Sequence, residues 1–172
     1  MKYRYAFVFF FIGFLLQSTV MVHFSVFGIT PNLVLCLVIL FSFLYEGNQG
    51  FTLGILFGLL QDMCFAIVLG PAAITYFIVA ILMGEIRHYL YRDNVLTIFF
   101  AAVIGTSVYY ILNWGIVTVF GGTYRFLYVM KELPILLVYH FILMVIFYLL
   151  VGRRAIRHPQ DRYYKGNKLY YE

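Results

Sequence analysis

The chain has 172 residues, of which 64% are hydrophobic and only 11% charged, and its formal net charge is +5. Soluble domains carry about 25% charged residues, and a soluble fold of this size leaves too much surface facing water to hide so many apolar side chains. The composition excludes an ordinary soluble domain. The surplus Lys and Arg stand beside apolar runs rather than on a basic face, which excludes nucleic acid as the partner.

In chain order, the first apolar run spans about Tyr5 to Val22 and follows Lys2 and Arg4, as in the charged leader of a signal peptide. Gln17-Ser18-Thr19-Val20-Met21 offers no small-x-small cleavage site, so the run reads as an uncleaved first helix. A loop, His23 to Thr30, leads to Pro31, a residue suited to a first helical turn. The second helix, about Pro31 to Tyr45, reaches roughly 22 Å against a hydrocarbon core of ~30 Å. It must be shielded by neighbours, thin the bilayer, or be partly re-entrant. A polar break, Glu46 to Gln49, precedes a third helix over about Gly50 to Val68, and Leu69-Gly70-Pro71 turns the chain.

The fourth helix covers about Ala72 to Glu85, and Arg87 to Asn94 is polar. The fifth is long, about Val95 to Phe120, and Gly121-Gly122 ends it. Thr123 to Glu132 reads as a mixed aromatic and charged connector, so the sixth helix is expected from Leu133-Pro134 to Val151. The expected fold is an all-α integral membrane protein of about six transmembrane helices. Residues 1–152 form the transmembrane domain and 153–172 a basic, Tyr-rich cytoplasmic tail.

With the N-terminus inside, ten basic residues fall on the inner side: Lys2, Arg4, Arg87, Arg92, Arg153, Arg154, Arg157, Arg162, Lys165 and Lys168. Only Arg125 and Lys131 fall outside, which accounts for all 12. This asymmetry puts both termini in the cytoplasm. The tail's cations interleave with Tyr163, Tyr164, Tyr170 and Tyr171, a composition suited to anionic headgroups.

The strongest local pattern is Gly47-x2-Gly50-x3-Gly54-x3-Gly58-x3-Asp62, which gathers on about a third of the helix circumference. Glycines at this spacing let another backbone come close, either within the chain or from a partner. Asp62 ends the stripe, and a carboxylate in a membrane helix is costly unless paired or hydrated. It is either functional or hydrogen-bonded to a neighbouring helix, with Gln61 sharing its polar pocket. Asn113 and His140 complete the pocket candidates, each suited to hydrogen bonding across helices. Two ionisable groups, Asp62 and His140, are too few for a proton relay. Cys36 and Cys64 lie in apolar runs with no metal-ligand spacing. No nucleophile elbow, phosphate loop or HExxH motif is present, so neither an enzyme, a cofactor nor a metal is expected.

These elements resemble the bacterial rod shape-determining MreD family. The resemblance is carried by Gln17-Ser18-Thr19, Gly28-Ile29-Thr30-Pro31-Asn32-Leu33-Val34-Leu35, Gly50-x3-Gly54-x3-Gly58-Leu59-Leu60-Gln61-Asp62, Leu69-Gly70, Tyr76 and Gly84, in that order. Gln17 and Asn32 stand where family members often carry an acidic residue. The resemblance implies a non-enzymatic subunit of the cell-elongation machinery in the bacterial plasma membrane. It would bind MreC and, through it, the MreB filament, RodA and a class B penicillin-binding protein. The family is also similar to the six-helix substrate-binding S-components of energy-coupling-factor vitamin transporters. Those dock through AxxxA on helix one; here Ala6 is followed at that spacing by Phe10.

Overall fold

The structure is a computed structural model. It describes residues 3–152 apart from 22, 24, 26–27, 46–47, 67, 90–94 and 123–124, with side chains described as far as Leu150. The expectations for Gly47, for Lys2 and Arg92, and for the basic tail fall outside the described residues.

Six helices make up the described chain: α1 (Tyr3–Thr19), α2 (Leu33–Leu44), α3 (Gln49–Phe65), α4 (Pro71–Ile86), α5 (Val95–Val119) and α6 (Phe126–Phe147). A π-helical turn, Tyr148–Gly152, continues α6. α5 and the run Phe126–Leu150 are long and apolar enough to cross a membrane on length and composition.

α2 is the hub. Its sequence, LVLCLVILFSFL, is apolar on every side apart from Ser42, and a helix hydrophobic all round must be buried all round. All 12 of its residues are buried, and it touches each of the other five helices. Of the three ways to accommodate a short second helix, enclosure by neighbours is what the fold uses. At about 18 Å, α2 leaves its ends to be satisfied by side chains from elsewhere.

Around it the exterior is apolar. Phe7, Phe11, Ile12, Leu15, Ile78, Ile81, Phe99, Val138, Ile142 and Ile146 are all exposed, as a lipid-facing surface requires. Phe57 of α3 meets the rings of Phe7, Phe10 and Phe14 of α1 at 5.6, 5.6 and 6.1 Å.

One boundary differs from expectation by more than a helical turn. α6 begins at Phe126 rather than near Leu133-Pro134, so the expected connector is helical from Phe126 onward and Pro134 lies inside the helix. A proline there removes one backbone donor and crowds the preceding turn. Such breaks are tolerated where other groups re-satisfy the freed backbone. Proline was therefore a poor marker of this helix start.

Candidate functional site

The glycine stripe of α3 faces its own chain. A Cβ built on Gly50 would lie 2.7 Å from the backbone N and 2.9 Å from Cα of Ser42 in α2. On Gly54 it would meet Val38 Cγ2 at 3.2 Å and Tyr76 Cβ at 3.5 Å. On Gly58 it would lie 2.7 Å from Cα and 2.9 Å from N of Ala73 in α4. The stripe thus runs from the end of α2 to the start of α4. Gly13 against Leu37 and Gly105 against Ile39 make further close approaches to α2, without belonging to any repeat in the sequence.

Asp62 continues the stripe by one turn and meets the start of α4. That helix begins at Gly70 (φ 113°), which has no side chain to cap it, and Pro71, which has no N–H. The Asp62 carboxylate supplies the missing acceptor. Oδ2 accepts from the backbone N–H of Gly70 at 3.0 Å, of Ala72 at 3.0 Å and of Ala73 at 3.2 Å, and Oδ1 accepts from Ala72 at 3.2 Å. An anion at a helix N-terminus also opposes the positive end of the helix dipole. Asp62 is 2% exposed, so these contacts replace water for its carboxylate.

A second polar constellation closes the start of α2. Asn32 Oδ1 accepts from the N–H of Leu35 at 2.9 Å, a side-chain N-cap. Its Nδ2 donates to the Tyr76 hydroxyl at 2.6 Å, and that hydroxyl donates to Gln61 Oε1, also at 2.6 Å. The Asn32 backbone N–H donates to Nε2 of His140 at 2.9 Å. Since Nε2 accepts, the ring proton sits on Nδ1, which donates to Thr106 Oγ1 at 2.9 Å. His140 is thereby held as the neutral ring. Gln17 Oε1 accepts from the Val34 N–H at 3.0 Å. Gln17 and Asn32 thus use amide oxygens as acceptors, a task a carboxylate could equally perform. At the opposite end of α2, Arg87 Nη1 donates to the Tyr45 carbonyl at 2.8 Å. A cation there suits the helix C-terminus.

Two cavities, of about 800 and 310 Å³, open beside this network. They share Gln61, Phe65, Tyr109, Tyr110 and Asn113. Asp62, Trp114, Val129 and Glu132 belong to the larger, and Gln17, Pro31 and Asn32 to the smaller. The linings combine the ends of α1, α3 and α5 with the starts of α2, α4 and α6, so the helices alternate in direction and the cavities mark one end of the bundle. Of the four pocket candidates, Gln61, Asp62 and Asn113 line the larger cavity. His140 does not, being enclosed deeper between α2 and α5.

Sequence reasoning passed over Asn32 and Tyr76 as chemical groups, although both belonged to the motif set. It also missed Thr106, Tyr109 and Glu132. Asn32 following Pro31 at a helix start was the one available signal, since Asn is a strong N-cap. Thr106 and Tyr109 are single polar residues in an apolar run, with nothing local to distinguish them.

An apolar exterior, two helices long enough to cross a bilayer, and polar groups of different helices bonded to one another at one end define the class: an all-helical membrane protein with a cavity at that end. A family model for rod shape-determining protein MreD matches residues 2–153. The chain belongs to the MreD family, and so to the rod shape-determining proteins of bacterial membranes. No curated protein and no solved structure matches it.

Proposed function

We propose that the chain is a non-enzymatic scaffold subunit of the cell-elongation complex in the bacterial plasma membrane. About six helices form the transmembrane domain and both termini are cytoplasmic, in keeping with the 10 to 2 division of its basic residues. Its direct partner is an MreC-type single-span protein, and through that partner it supports MreB, RodA and a class B penicillin-binding protein in peptidoglycan synthesis.

The observation that carries this reading is where the polar chemistry goes. Asp62 holds the start of α4, and Asn32, His140 and Gln17 hold the start of α2. These groups serve as braces between helices, as a rigid platform needs. With Gly50, Gly54 and Gly58 packed inside the chain, the partner's span is left to the apolar exterior.

A vitamin-capture subunit is the second reading, favoured by the cavity of about 800 Å³. Against it stands α1. Ala6 and Phe10, at the spacing of the transporter-docking residues, are both fully buried. Phe10 packs on Phe41 at 5.4 Å and on Phe57 at 5.6 Å, so this face is turned inward. Affinity purification from native membranes separates the two. Recovery of MreC and RodA supports the scaffold; recovery of a pair of ABC ATPases instead would overturn it.

A further inference from the structure

We propose that the larger cavity seats the headgroup of a primary-amine phospholipid, with the ammonium group held by Glu132. The inference does not depend on which complex the protein joins.

Glu132 lines the cavity and is half-buried, and it makes no hydrogen bond or ion pair with another described residue. A carboxylate in that position at the end of a membrane bundle calls for a cation. Asp62, the other carboxylate in the lining, is already committed to the backbone of α4. Asn113 likewise has no partner among the described residues, and its amide oxygen adds a neutral acceptor. Trp114 brings an aromatic face of the kind that attracts an ammonium group.

The start of α6 supplies the opposite charge. Val129 is buried in the lining, four residues after Arg125, the N-cap residue at which α6 begins. Arg125 is exposed, and Lys131, next to Glu132 in the chain, is exposed as well. A cation outside and an anion inside match a zwitterion whose amine enters first and whose phosphate stays at the rim. Phe120, in the cavity lining, is 60% exposed and offers the acyl chains a path back into the bilayer.

The test is native mass spectrometry of the full-length protein released from vesicles of phosphatidylethanolamine, phosphatidylglycerol or phosphatidylcholine. The wild type is expected to retain phosphatidylethanolamine above the other two. Glu132→Gln keeps the size and removes the charge, and should lower that retention about tenfold, as the loss of one charge-assisted hydrogen bond. Should Glu132→Gln not fold, Arg125→Gln, at an exposed position at the start of α6, should reduce retention in the same direction. Equal retention of all three lipids, or unchanged retention in the variants, would overturn the proposal. Binding of soluble O-phosphoethanolamine as tightly as the lipid would overturn the lipid assignment.

Discussion

Asp62 and Ala72, ten residues apart, are joined by both carboxylate oxygens: the backbone N–H of Ala72 lies 3.0 Å from Oδ2 and 3.2 Å from Oδ1. The charge at the end of the glycine stripe is therefore the cap of the next helix, delivered from outside it. This changes what a substitution should do. Asp62→Asn would be mild if the carboxylate were idle. Instead it replaces one acceptor oxygen by an NH2 group facing backbone donors. Asp62→Ala should cost about 1–3 kcal/mol, with Asp62→Asn smaller but measurable. Thermal melting of the purified protein in detergent checks this, and an unchanged midpoint for Asp62→Ala would remove the cap from the account.

Gly58→Leu forces a side chain into the backbone of Ala73, where nothing flexible can move aside. Overpacking of this kind costs about 1–3 kcal/mol. Gly84 is the internal control, because a Cβ there meets nothing within 4 Å. Gly58→Leu should lower the melting midpoint and the yield of membrane-integrated protein, while Gly84→Leu leaves both near wild type. Similar behaviour of the two variants would mean the stripe is not a packing face.

His140→Leu strips the acceptor from the Asn32 N–H and the donor from Thr106. An unpaired buried donor costs about 1–3 kcal/mol. Asn32→Leu removes more, because Leu35 and Tyr76 both use the Asn32 side chain, while the bond to His140 comes from the backbone N–H and remains. Its midpoint should fall below that of His140→Leu. A double variant should lose less than the two single losses together, since the His140 ring and the Asn32 side chain both anchor the same backbone position at the start of α2. Strict additivity in the same melting assay would contradict a shared network.

The path of the chain was largely legible from sequence, and its chemistry less so. Apolar runs bounded by Gly70-Pro71 and Gly121-Gly122 locate α4 and the end of α5, because glycine and proline punctuate backbones wherever they occur. The start of α6 was misplaced because Pro134 carries the same local signal whether it opens a helix or sits within one. The roles of Gln61, Asp62 and His140 depended on partners far along the chain. Asn32 and His140 are 108 positions apart, and no local pattern records that pairing. The enclosure of α2 was visible in its uniform apolarity, yet only the fold says which helices enclose it.

Both termini should be cytoplasmic. A reporter active only outside the cytoplasm, fused to either end, should stay silent, while a cytoplasmic reporter should work at both. Truncation after Arg157 should leave insertion intact, because the residues removed are a polar stretch beyond the last apolar run. External activity at the C-terminus alone would mean an odd number of spans and contradict this topology.

The most direct measurement of the central claim, that this membrane protein sustains rod shape as a scaffold, is cell geometry upon depletion in the bacterium that encodes it. Cells should lose their elongated form and round up as the protein falls. Wild-type protein should restore the rod, and Gly58→Leu at matched expression should restore it poorly. Cells that keep their length-to-width ratio through complete depletion would contradict the account.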